Sequence, residues 1–285
     1  MAANAVELTV EQAWYLAELT GAGSFPWVLA ITPPYSEPSV AGAFAADRVA
    51  ELTALGVISA GGTINPAVAQ WITLTCRARQ WLEIRVVSAG GNMLRGVVGR
   101  SDGMVIVALR SGGLVTFTEM DIAHPHDLVP VLTAGLQART PADFDDFTVP
   151  MRAGARADEK LRGGTDLAEV IDHLGIPPSA RPVVESVLTG RRSYAEIVAG
   201  EHRDGYRVST QVGVSVVDCA AGRLLVYPTQ AFDGEWVSTF TPGHTSAIAD
   251  AVERLTASLP DGSWFPSRLR KDFDQRTENR CPTTL

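Results

Sequence analysis

An internal echo is the feature that most constrains what this chain can fold into. In the first half, a Leu55-Gly56 stop and a helix-starting Pro66 precede an aromatic-led strand, Trp81-Leu82-Glu83-Ile84. Met104 to Leu109 and Leu114 to Phe117 then flank Ser111-Gly112-Gly113, and a helix-like stretch closes at Ala134-Gly135-Leu136. The same order returns as Leu174-Gly175, Pro182 and Tyr194-Ala195-Glu196-Ile197. Val212 to Val217 and Leu224 to Tyr227 flank Ala221-Gly222-Arg223, and the last helix closes at Ala257-Ser258-Leu259. Two copies are too few for a solenoid, which stacks at least three short units. The pattern suggests one body with approximate two-fold symmetry, each half offering a small antiparallel sheet and flanking helices. Its two half-sheets are expected to join over a shared core.

Composition narrows the partners. A chain of 285 residues that is 46% hydrophobic can bury a full core. A net charge of −8 and a pI near 5.2 speak against nucleic acid, whose backbone needs clustered cations. Met1 to Val10 has neither a basic nor an apolar leader region, so no signal peptide is expected. No window approaches the roughly 18 apolar residues of a membrane span, so no membrane insertion is expected. Cys76, Cys219 and Cys281 are odd in number and far apart, a usage that fits a reducing cytoplasm.

Local signals place the elements. Thr9 and Gln12 have capping-box spacing around a helix over Val10 to Leu19. Trp27 to Ile31 reads as a β-type run, and Phe44 to Leu55 as a helix. Asn65-Pro66 reads as an N-cap with proline at the first helical position. Strands are expected at Trp81–Val87, Met93–Gly99, Met104–Leu109 and Leu114–Met120, then a helix capped by Asp127. Arg139 to Met151 breaks the periodicity and reads as the crossover between halves. Helices over Arg156–Arg162 and Leu167–Leu174 follow, then one capped by Ser179. A second meander is expected at Tyr194–Val198, Tyr206–Val217, Leu224–Pro228 and Trp236–Phe240, with a final helix over Ala247–Leu259.

The chain offers little chemistry. Neither Lys160 nor Lys271 sits in a phosphate-binding Gly-Lys-Ser/Thr loop, and no Gly-x-Ser-x-Gly elbow is present. Gly21-Ala22-Gly23 follows a helix and reads as its stop, not as a dinucleotide fingerprint. His124-Pro125-His126-Asp127 could offer metal ligands, but proline and aspartate there suit a loop and a cap better. Asp143, Asp145 and Asp146 resemble a hard-cation cluster, while the interleaved Phe144 and Phe147 read as anchors of a docked linker. Neither catalytic residues, metal ligands nor a cofactor are expected.

One longer stretch is far more specific. Ala231-Phe232-Asp233-Gly234-Glu235-Trp236-Val237-Ser238-Thr239-Phe240-Thr241-Pro242-Gly243 resembles the EspG family of mycobacterial type VII (ESX) secretion systems. Gly21 to Pro34, Gly154 to Arg162, Ser179 to Ala199 and Leu259 to Pro266 agree, most of all with the branch serving the third such system. The resemblance implies an α+β fold, a central antiparallel sheet flanked by helical bundles with its two halves related by a pseudo-two-fold. It implies a single EspG-like domain over residues 1–285, with halves at 6–138 and 156–266, a crossover at 139–155 and a polar tail at 267–285. It implies a cytosolic chaperone that binds PE–PPE heterodimers at the apolar tip of the PPE protein, one chain of each in the complex. Carried onto this chain, its sheet contacts fall at Gln211, Val212 and Gly213 and at Thr229, Gln230 and Ala231. Its hairpin contacts fall at Arg100, Ser101 and Asp102, in a loop much shorter than some relatives carry. Phe232 and Trp236 read as core. Two other readings stand beside this one: an enzyme using a cleft between the halves, and a self-associating scaffold of the secretion apparatus.

Overall fold

The computed structural model describes residues 4–262 and 264–265. The first half runs β1 (Ala5–Thr9), α1 (Val10–Thr20), α2 (Ala41–Ala54), α3 (Pro66–Arg77), β2 (Gln80–Val87), β3 (Met93–Ser101), β4 (Met104–Ser111), β5 (Leu114–Met120) and α4 (Pro125–Leu132). The second runs β6 (Phe147–Pro150), α5 (Met151–Arg162), α6 (Leu167–His173), α7 (Arg181–Thr189), β7 (Ser193–Arg203), β8 (Tyr206–Ser209), β9 (Val214–Cys219), β10 (Gly222–Gln230), β11 (Trp236–Pro242) and α8 (Thr245–Ala257).

Several boundaries follow directly from side-chain chemistry. At α1, the Thr9 hydroxyl accepts from the Gln12 N–H at 3.1 Å, and the Gln12 side chain accepts from the Thr9 N–H at 2.9 Å. Asn65 accepts from the Ala67 N–H at 3.0 Å, with Pro66 leading α3. The β3–β4 and β7–β8 hairpins turn on Asp102-Gly103 and Asp204-Gly205, all four residues at positive φ. That is the geometry a two-residue hairpin turn requires, and Asp-Gly meets it cheaply.

The two halves meet along one seam. β2 pairs antiparallel with β7 from Gln80↔Glu201 to Val87↔Tyr194, so a single antiparallel sheet of eleven strands crosses the molecule. Outward from the seam the order is β3, β4, β5, β1 on one side and β9, β10, β11, β6 on the other, with β8 beside β7. Alternation sends Leu82, Ile84 and Val86 to one face, where they meet Ala195, Ile197, Ala199, α4 and α8 in a core both halves share. On the opposite face, α1 and α3 cover the first half and α6 and α7 cover the second.

The structure corrects several expectations. Trp27 to Leu29 is a 3-10 turn, not a strand, because Pro26 starts it and Ala30 ends it at φ 50°. His124, not Asp127, is the N-cap of α4. Asp127 sits one turn in, and its carboxylate accepts from the N–H groups of Ala123 and His124 at 3.0 and 2.8 Å. Ser179 does not cap α7; its hydroxyl instead donates to Asp145 at 2.9 Å. The segment 206–217 is broken into β8 and β9. Within 139–155 lie β6, an edge strand paired to β11, and the first turn of α5. Phe144 is buried there, and the Phe147 ring stacks on Phe240 with centroids 4.6 Å apart. The tail 267–285 and Cys281 lie outside the described residues.

Candidate partner-binding surface

Register fixes which side chains share an end of the sheet. The β3–β4, β7–β8 and β10–β11 turns all project from the end at which β2 begins. Gln211 to Gly213 and Thr229 to Ala231 run toward that same end, past Ser215 and Val226, the last residues that β9 and β10 pair. Arg100, Ser101 and Asp102 lie there too, separated from them by β2 and β7. The predicted positions therefore form two clusters at one end of the sheet.

Their individual settings differ. Gln211 and Gln230 are exposed, Val212 and Ala231 are half-buried. Gly213 is exposed, yet a Cβ there would come 2.7 Å from the Ile197 carbonyl oxygen, so close backbone approach fixes glycine at this place. Thr229 is half-buried, and its hydroxyl lies 2.8 Å from that of Thr239. Between the helical layers, Glu83, Arg85, Glu196 and Ser215 line a groove of about 340 Å³ over the seam. Arg207 closes one side, bridging to Glu83 at 3.2 Å and lying over the Trp81 ring at 4.3 Å.

Phe232 and Trp236 are not core. Phe232 is fully exposed, at 110% of its reference area, and Trp236 at 40%. The β10–β11 turn holds them in place. The Ala231 N–H donates to the Glu235 carbonyl at 2.8 Å, the Gly234 N–H to the Ala231 carbonyl at 2.9 Å, and the Asp233 carboxylate accepts from the Glu235 N–H at 3.0 Å. The Gln230 amide adds a bond to the Gly234 carbonyl at 3.0 Å. A large apolar ring on a hydrogen-bonded turn costs little ordering entropy on binding, which is what an interface anchor needs. The hairpin's charged pattern, D-G-E around that ring, hides this from sequence reasoning, which weights a phenylalanine toward the interior.

The other cluster is partly committed to the fold. Arg100 belongs to β3, not to the loop, and its guanidinium donates to the Trp264 carbonyl. The Ser101 hydroxyl accepts from the Arg79 N–H at 2.9 Å, and Asp102 forms the turn at φ 49°. Arg79 in turn grips the Asp261 carboxylate at 2.6 Å, which raises the Arg79 pKa. The buried Glu201 carboxylate accepts from the Asp261 N–H at 3.1 Å. Three side chains thus pin the segment after α8, seating Trp264 in the shared core at 1% exposure. Sequence reasoning had no signal for this clamp, because Arg79 and Asp261 lie 182 residues apart.

Two thiols are buried. Cys76 is pushed up to about 12 by burial, so it is a neutral thiol at physiological pH. Cys219 is buried and donates to the Gly222 carbonyl at 3.3 Å. Among the described residues, no group of three or more His, Cys, Asp and Glu side chains converges as a metal site would require. No described helix is long and apolar enough to cross a membrane.

An eleven-stranded sheet with charged grooves and displayed aromatic rings defines a protein built to present surface. The EspG family model matches residues 9–254, and the chain belongs to that family. It is 64% identical to the ESX-3 secretion-associated protein EspG3 of Mycolicibacterium smegmatis, over 96% of this chain and 94% of that protein. The EspG3 of Mycobacterium tuberculosis is 56% identical, over 96% and 98%. The ESX-1 secretion-associated protein EspG1 of Mycobacterium marinum is 31% identical, over 91% and 90%. The pattern is thus most like the third-system branch. In fold, the chain matches the Mycobacterium tuberculosis type VII secretion system chaperone EspG5, solved in complex with the PE25–PPE41 dimer. That match has a TM-score of 0.77 at 18% identity, over 91% of this chain and 98% of that one.

Proposed function

We propose that this chain is a cytoplasmic chaperone of a type VII secretion system that binds PE–PPE heterodimers through the PPE protein and performs no catalytic step. The observation that carries this reading is the near full-length likeness to a family whose EspG5 member was solved with a PE–PPE dimer. The sheet end described above supplies a surface of the right kind: displayed Phe232 and Trp236, amide side chains at Gln211 and Gln230, and a groove alongside. Covering an exposed apolar tip of a client removes an aggregation liability until export. We read the chain as one domain of two related halves joined through 139–155, a reading that the matching strand order on either side of the seam supports.

Co-expression with PE–PPE pairs followed by gel filtration tests this function. A co-eluting complex with one chain of each partner is the expected result, and no complex with any pair would sink it. Phe232→Ala should weaken that complex roughly 30-fold, as loss of a central anchor does, with the melting temperature unchanged. Thr229→Glu is a poorer probe, because Thr229 bonds to the buried Thr239. Arg100→Glu would release the Trp264 carbonyl as well as alter a surface charge.

A further inference from the structure

The helical layer over the second half forms an apolar pocket of about 160 Å³, partly open to solvent. Its origin is visible in α5, which turns Gly154, Ala157 and Leu161 toward the sheet, a stripe of mostly small side chains. Opposite them stand the rings of Phe144, Phe147 and Phe240. Asp158 is the one charged residue of the lining, and it is exposed. Among the described residues, the buried side-chain polar atoms without partners belong to Arg48, Trp81 and Trp264, none of which borders this space. Apart from Asp158 the walls are apolar and offer little to hold water, and an apolar space of about 150 Å³ is large enough to admit benzene.

We propose that this cavity is a binding pocket for a neutral, apolar small molecule between a benzene ring and a short alkyl chain in size. Asp158 selects against carboxylates, since an anion entering beside it meets like charge while leaving water. The inference goes beyond client binding and does not depend on it.

Thermal melts of the full chain with benzene, and with hexanoate as the anionic counterpart, test the proposal. Benzene should raise the melting temperature saturably by about 2–4 °C, through preferential binding to the folded state; hexanoate should give a much smaller rise. Ala157→Leu should fill the space and abolish the benzene shift. Methyl NMR of the wild-type chain provides a readout that needs no variant, with benzene perturbing Val170, Val183 and Val187 first. A benzene shift that survives in folded Ala157→Leu, methyl perturbations elsewhere, or no saturable shift at all would overturn the proposal. So would a folded Ala157→Leu chain that fails to bind a PE–PPE client while the wild type ignores benzene. That result would assign the space to a client side chain.

Discussion

The two helical layers that cover the same face of the sheet are packed very differently. Over the first half, α3 buries Val68, Trp71, Ile72, Leu74, Thr75 and Cys76, and the Trp71 indole is satisfied by Glu119 at 2.9 Å. Over the second, α5 buries Ala157 alone, α6 buries Val170 and Ile171, α7 buries Val183, and an apolar pocket remains among them. Displayed rings occur in both halves, Trp27 in the first and Phe232 in the second, so the contrast lies in the packing: one layer is closely filled, and the other keeps free volume that lets it adapt. Pairs of matched substitutions can break or sharpen this contrast.

The largest effect is expected for two phenylalanines. Phe117→Ala empties a fully buried site in the first half and should cost about 3–5 kcal/mol. Phe232→Ala should change stability by less than about 0.5 kcal/mol, as exposed positions do. Chemical denaturation of both variants checks this, and comparable losses would mean that the β10–β11 turn packs in solution. Next come two buried isoleucines. Ile72→Ala in α3 should cost more than Ile171→Ala in α6, near the two ends of the roughly 2–5 kcal/mol range, because Ile171 already borders free volume. Equal losses would erase the distinction between the layers.

A smaller effect concerns pH. Burial raises Cys76 from an ordinary 9.0 to about 12. The unfolded chain therefore ionises first as pH rises, so this contribution is intact below about 9 and is lost progressively toward 12. By pH 10 the loss should reach about 1.4 kcal/mol, and Cys76→Val should flatten that part of the stability profile. The smallest change expected is a gain. Gly154 lies within α5, where a Cβ would meet only Val149 at 3.9 Å. Gly154→Ala should stabilise by roughly 0.5–1 kcal/mol by restricting the unfolded chain. A loss measured by denaturant melt would mean that α5 lies closer to the sheet.

Much of the fold was legible because its signals are local. Thr9 with Gln12 and Asn65 with Ala67 each fix a helix start through bonds within a few residues. The echo also pointed to joined half-sheets, as the β2–β7 seam now shows. The edges were not legible. β1 and β6 are short strands defined by long-range partners, Val6 against Phe117 and Thr148 against Thr239. Family likeness directed attention to 211–213 and 229–231, but solvent exposure is a tertiary property, and composition misplaced Phe232. The clamp formed by Arg79, Glu201 and Asp261 arises only once distant segments meet.

The seam has a consequence for how the chain matures. Ile84 pairs with Ile197, so the central strands find each other only after most of the sequence has been synthesised. Until then β2 is paired only with β3, and its other edge, with Leu82, Ile84 and Val86 still uncovered by the second half, is open to any passing strand. Contacts so distant in sequence also slow folding, since loop closure must precede their reward. During that interval this protein resembles its proposed cargo: a chain whose exposed apolar surface waits for a partner, in this case its own second half.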